Sequence, residues 1–117
     1  MKDLMTACPV ERTLQVVGGR WNIFILMRLM EKTRRFAELQ RAIDARVTGT
    51  ITPKVLTHEL KQLEAAGLVH REVYAEVPSR VEYSVTPLGR SLQPVIAALR
   101  CWGQEEAGGV GPEQDAA

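Results

Sequence analysis

Thr52-Pro-Lys-Val-Leu-Thr-His-Glu-Leu-Lys-Gln-Leu-Glu-Ala-Ala-Gly67 is the stretch on which the fold turns. Thr52 is a side-chain acceptor suited to an N-cap, and Pro53 suits a first helical turn, where its missing N–H costs nothing. Gly67 is a stop signal of the kind that follows a helix C-terminus. Between them, Leu56, Leu60 and Leu63 repeat at i, i+4 and i+7 and predict a face that packs on a core. Lys54, Thr57, His58 and Lys61 repeat with the same period on a different face, and all four can donate hydrogen bonds. Any surface helix has a polar face, so position must decide what this one is for.

Immediately after Leu68 the period changes from helical to two. Val69, Arg71, Val73, Ala75 and Val77 fall on one side, with His70, Glu72, Tyr74 and Glu76 on the other. Pro78-Ser79-Arg80 reads as a turn, and Val81, Tyr83 and Val85 resume the alternation, which predicts a β-hairpin tipped by Arg80. Thr86-Pro87 repeats the cap-plus-proline start and opens a last helix carrying Leu88, Leu92, Val95, Ile96, Leu99 and Trp102, ending between Gly103 and Gly108.

Upstream, Pro9 opens a helix through Val10, Leu14 and Val17 that stops at Gly18-Gly19. Trp21 to Met30 is apolar at nearly every position, as expected of a central buried helix. Phe36, Leu39, Gln40 and Ile43 mark a shorter helix entered through Arg34-Arg35, and Asp44 to Ile51 reads as a loop. The expected fold class is mainly α with a small β-hairpin (α+β). Two short helices, a turn and a hairpin outline a winged helix-turn-helix, whose second helix enters a major groove while the hairpin reaches the neighbouring backbone.

Composition agrees with one domain. The 117 residues are 45% hydrophobic and 25% charged, enough for a single core. A domain over 1–107 followed by a disordered acidic tail over 108–117 is expected. Net charge is only +1, but between Arg20 and Lys61 stand nine basic and four acidic residues, whereas Trp102 onward holds four acidic residues and no basic one. Positive charge thus gathers where a phosphate backbone would be met. Within that segment Lys54 and Lys61 can neutralise phosphates or reach guanine acceptors, Thr57 and His58 suit base edges or sugars, Thr52 and the helix N-terminus suit a phosphate oxygen, and Arg34 and Arg35 suit the duplex backbone. Beyond it, Arg80 at the hairpin tip suits a minor-groove or phosphate contact. Arg34 and Arg35 could instead pair with Glu31 or Glu38.

No run of about eighteen apolar residues and no signal peptide is present, so a cytoplasmic protein without a membrane partner is expected. No nucleophile elbow, phosphate loop or paired His/carboxylate arrangement points to an enzyme or a cofactor. Cys8, Cys101, His58 and His70 lack the spacing of a zinc site.

The motifs also carry a resemblance. Cys8-Pro-Val-Glu-Arg-Thr-Leu14, Gly18-Gly-Arg-Trp21, Lys54-Val-Leu-Thr57, Leu63-Glu64, Gly67-Leu-Val-His-Arg71, Glu76-Val-Pro-Ser-Arg-Val-Glu-Tyr83, Thr86-Pro-Leu-Gly89 and Trp102-Gly103 resemble the HxlR family of winged helix-turn-helix regulators, which are MarR-like and dimeric. The likeness runs from Cys8 to Gln104, and the segment Glu76–Tyr83 is its most distinctive part. It implies a homodimeric bacterial repressor or activator joined through its terminal helices. It also implies double-stranded DNA with an inverted-repeat operator as partner, and an electrophile, oxidant or small molecule as effector. The same outline without DNA binding would be a protein-interaction module.

Cys8 matches the family's N-terminal cysteine, which in several members serves as a redox or electrophile sensor, and free N–H groups at a helix start favour a thiolate there. Glu11 opposes this and Arg12 partly offsets it; an inert packing role is the alternative. Cys101, in the last helix, would lie near the dimer seam implied by the resemblance, within reach of Cys8 from the other subunit. One departure from the family stands inside the helix-turn-helix: the connection from Ile43 to Ile51 is longer than the usual tight turn, and it could add a phosphate contact through Arg46 or shift the angle of the reading helix.

Overall fold

The computed structural model describes residues 8–45 and 49–106. The expected tail over 108–117 and the loop residue Arg46 lie outside the described residues. Element order is α1 (Pro9–Val17), α2 (Asn22–Glu31), α3 (Phe36–Asp44), α4 (Pro53–Ala65), β1 (Val69–Tyr74), β2 (Arg80–Val85), α5 (Pro87–Arg90) and α6 (Gln93–Glu105). This is the mainly helical, winged helix-turn-helix outline that the alternating periods predict.

The core gathers around α2. Ile25, Leu26 and Leu29 of α2 meet Leu39 and Ile43 of α3, the leucine seam Leu56, Leu60 and Leu63 of α4, and Leu68 and Val69 at the base of the hairpin, all buried. Asn22, also buried, donates through Nδ2 to the Val16 carbonyl at 2.9 Å and so ties the start of α2 to the end of α1. The long connection between α3 and α4 returns under control: Ile51 is buried in the core, its N–H bonded to Asp44 Oδ1 (3.1 Å) and its carbonyl to Gln40 Nε2 (2.8 Å). Whatever path the loop takes, α4 therefore starts from a point fixed on α3.

Each start and stop signal around α4 works as its chemistry requires. Thr52 Oγ1 accepts the Val55 N–H at 3.2 Å, and Gly67 takes φ +80°, where an L side chain would be strained. From there the Leu68 N–H bonds to the Leu63 carbonyl at 2.9 Å, closing the helix and aiming the chain into β1.

The hairpin is antiparallel, with Val69 opposite Val85 and Tyr74 opposite Arg80. β1 stops at Tyr74 instead of running through Val77. Glu76 N–H folds back to the Tyr74 carbonyl at 2.9 Å, and Pro78 has no N–H to offer a ladder. Arg80 accordingly begins β2 and does not cap the turn. A third extended segment, unforeseen from periodicity, joins the sheet where Arg34 bridges to Tyr83.

The single last helix expected after Thr86 is corrected to two. A continuous helix would require Pro94 to donate to the Arg90 carbonyl, and its ring would collide there. The chain turns at Ser91-Leu92 instead, separating α5 from α6. No helix among the described residues is long and apolar enough to cross a membrane.

Candidate nucleic-acid interface

The two faces of α4 separate as the sequence predicts. Leu56, Leu60 and Leu63 are buried, whereas Lys54, Thr57, His58 and Lys61 are all exposed. Thr52 is exposed too; its hydroxyl accepts the capping hydrogen bond and keeps its own hydrogen for donation. Four donors on a helix backed by a leucine seam form a rigid strip that fits groove edges and phosphates. The hairpin stands beside this strip. Thr57 and Lys61 share a cleft of about 400 Å³ with Arg71 and Tyr83 of the wing.

The remaining candidate cations divide by what already holds them. Arg34 donates through Nε to the Arg28 carbonyl (3.0 Å) and pairs through Nη2 with Glu31 (2.7 Å), while Glu31 also pairs with Arg28 (3.1 Å). With its side chain only 14% exposed, Arg34 is committed inside the protein. Arg80 lies across the Tyr74 ring at 3.9 Å and pairs with Glu76 (3.0 Å) and Glu82 (3.2 Å). It is a clasp between the strands more than a free charge at an apex, which is formed instead by the fully exposed Val77 and its cis-linked Pro78.

Arg35, by contrast, is exposed, and its guanidinium forms no ion pair among the described residues. Its backbone N–H bonds to Glu38 Oε1 at 2.8 Å and caps α3. That hydrogen bond, helped by the charges of Lys32, Arg35 and Arg41, holds the Glu38 carboxyl below the usual carboxylate range. Lys32 and Arg41, both exposed, line a further cleft with Glu38 and were not singled out from the sequence. Arg71 was also missed, although one signal could have found it: it is the lone charge in an otherwise apolar row of the alternation.

Cys8 is the N-cap of α1, its Sγ accepting the Glu11 N–H at 3.4 Å, and Cys101 sits on α6; both thiols are free and exposed. Val10 and Leu14 on α1, and Leu99 and Trp102 on α6, leave large apolar surfaces uncovered. Among the described residues no group of three His, Cys, Asp or Glu side chains stands close enough to hold a metal ion.

Comparison with known proteins agrees with this geometry. The model of the HxlR-like helix-turn-helix family matches residues 16–109. The uncharacterized HTH-type transcriptional regulator YybR of Bacillus subtilis (strain 168) is 43% identical over 97 residues, covering 83% of this chain and 74% of the relative. YkvN of the same organism, another HTH-type regulator, is 44% identical, covering 92% of this chain and 95% of the relative. Among solved structures, the redox regulator HypR in its oxidized form superposes with a TM-score of 0.73 at 42% identity, covering 85% of this chain and 97% of HypR. Diamide-treated YodB from B. subtilis superposes at 0.69 with 34% identity, over 87% and 96% of the two chains. On the strength of the wing, the leucine-backed helix and these likenesses, the chain belongs to the HxlR-like helix-turn-helix family of transcriptional regulators.

Proposed function

We propose that this protein is a cytoplasmic transcription regulator that binds double-stranded DNA as a homodimer, on an inverted-repeat operator, and is switched by an oxidant, an electrophile or a small effector. The observation that carries this is the exposed strip Lys54, Thr57, His58 and Lys61, held by buried leucines and flanked by a hairpin. α4 would enter the major groove, with Thr52 and Arg35 meeting phosphates beside it. Arg34 and Arg80 then serve chiefly to hold the wing and its neighbour in place. Two copies place their reading helices about 34–36 Å apart, one helical turn of the duplex or a multiple of it. No reaction is assigned to the chain. A winged helix used only for protein contacts is the competing function, supported by the commitment of Arg34 and Arg80 to internal carboxylates. Gel shift with DNA from upstream of the gene, at two salt concentrations, decides between them: salt-sensitive binding supports the regulator, and absence of binding at low salt overturns it.

For the switch, the exposed cap thiol of Cys8 is the first candidate, with Cys101 of the opposite subunit as its partner. Oxidation would join the two sulfurs in one S–S bond. The thiols release two protons and two electrons, which the azo bond of diamide takes up to become a hydrazine. Diamide treatment followed by non-reducing electrophoresis should give a covalent dimer that is lost in Cys8→Ser and in Cys101→Ser. A dimer band independent of either cysteine removes this pairing.

A further inference from the structure

On a strand pair, directly opposed residues share a face and alternate residues repeat it. One face of the wing therefore carries Val69, Arg71 and Val73 from β1 with Val85, Tyr83 and Val81 opposite them. The row begins in the core at Val69 and ends in solvent at Val73. Arg71 is the one charge on it, placed where the hairpin parts from α4.

There it shares the cleft of about 400 Å³ with Thr57, Lys61 and Glu64 of α4 and with Tyr83. Arg71 and Lys61 are exposed, and neither forms an ion pair among the described residues, Glu64 included. Two cations and one carboxylate leave the cleft with one uncompensated positive charge. A phosphodiester carries one negative charge and acceptor oxygens for an ammonium, a hydroxyl and a planar guanidinium fork.

We propose that this cleft seats a single phosphodiester of the DNA backbone between Lys61 of the reading helix and Arg71 of the wing, with the Thr57 hydroxyl as a third donor. Arg71, not Arg80, is then the wing's phosphate contact. Because one phosphate bridges two elements, it also fixes the angle of α4 against the hairpin when DNA is bound. Glu64 faces the same phosphate and weakens the seat. The inference rests on α4 entering duplex DNA, as proposed above.

The test needs no operator, because a phosphate contact is blind to sequence. Fluorescence anisotropy with a mixed-sequence duplex of about 30 base pairs, titrated over a range of salt concentrations, reads both affinity and salt slope. Arg71→Gln and Lys61→Gln should each weaken binding by about three- to ten-fold and flatten the slope, the pair together flattening it by about 0.9. The double variant should lose less than the product of the single losses, since both cations serve one phosphate. Glu64→Gln should tighten binding, Arg71→Lys should retain most of it, and Arg80→Gln should leave the slope unchanged.

If the wild type binds the duplex while Arg71→Gln matches it in affinity and slope, the seat is wrong and the regulator assignment stands. Losses that multiply in the double variant overturn the shared phosphate. A wild type that binds no duplex overturns the regulator assignment and the seat together. Should Arg71→Gln fail to fold, as judged by circular dichroism, the other variants still decide: an unchanged slope in Lys61→Gln, or an unchanged affinity in Glu64→Gln, ends the proposal.

Discussion

Arg34 and Tyr83 exchange both of their backbone hydrogen bonds, Arg34 N–H to the Tyr83 carbonyl at 3.0 Å and Tyr83 N–H to the Arg34 carbonyl at 2.8 Å. The segment entering α3 is thereby laddered to β2, which ties the start of the helix-turn-helix to the wing. The same arginine anchors the joint with its side chain, through the Arg28 carbonyl and Glu31.

Arg34→Ala should therefore act on stability and not on DNA. Its bonds to the Arg28 carbonyl and to half-exposed Glu31 are together worth about 1–2 kcal/mol once solvent screening is allowed for. Thermal melting should fall accordingly while the salt slope of DNA binding stays at the wild-type value. A slope flattened by about one phosphate would return Arg34 to the DNA-contacting set.

Gly89 makes a second structural test. A Cβ added there would run into the Leu68 carbonyl and a methyl of Val85, because α5 lies directly on the base of the hairpin. Thr86 locks the same corner, accepting the Gly89 N–H at 3.0 Å and donating to the Gly67 carbonyl at 2.6 Å. Gly89→Ala should cost about 1–3 kcal/mol as an overpacked contact between backbones. An unchanged melting temperature would mean that α5 shifts freely and does not brace the wing.

Most of the fold is legible in the chain because its signals are local. Leu56, Leu60 and Leu63 are one period apart, Thr52 and Thr86 cap within three residues, and Gly67 acts on its own φ. What escaped is what depends on partners distant in sequence. Nothing near Arg34 announces that it will ladder to Tyr83, and a basic dipeptide looks the same whether Glu31 or a phosphate receives it. Arg80 followed the same pattern: its place near a turn was visible, but its claim on Glu76 and Glu82 required the strands to be paired. Arg71 is the converse, a charge whose oddness in an apolar row was visible and whose neighbours Thr57 and Lys61 were not.

Glu38 gives a pH signature. Its carboxyl is held below its ordinary value of 4.5, first by the Arg35 N–H and then by Lys32, Arg35 and Arg41. A depressed carboxylate contributes stability above its unfolded value and loses it as pH falls through the folded one. Melting measured from pH 6 downward should thus show a loss below about pH 4.5 that Glu38→Gln reduces. Identical acid limbs in both proteins would mean that the capped carboxylate does not stabilise α3.

Dimerisation provides the last test. Leu14 on α1 is 57% exposed and Trp102 on α6 is 62% exposed, with Val10 and Leu99 beside them, and no element among the described residues covers these side chains. A second copy of the chain would cover them. In a two-fold dimer each residue is used twice, so Leu14→Lys removes two apolar contacts and places two charges in the seam. With each buried leucine worth about 1.5–3 kcal/mol, the dimer dissociation constant should rise by about two orders of magnitude or more. Sedimentation should then show monomer at concentrations where the wild type is dimeric. Binding to an inverted repeat should weaken far more than binding to a single half-site, because the second helix is no longer delivered at high local concentration. Since Leu14 belongs to α1 and not to the α4 strip, half-site affinity itself should hold. If Leu14→Lys remains a dimer of wild-type strength, the apolar strip on α1 is free surface, and the crossing that would bring Cys8 to Cys101 loses its support.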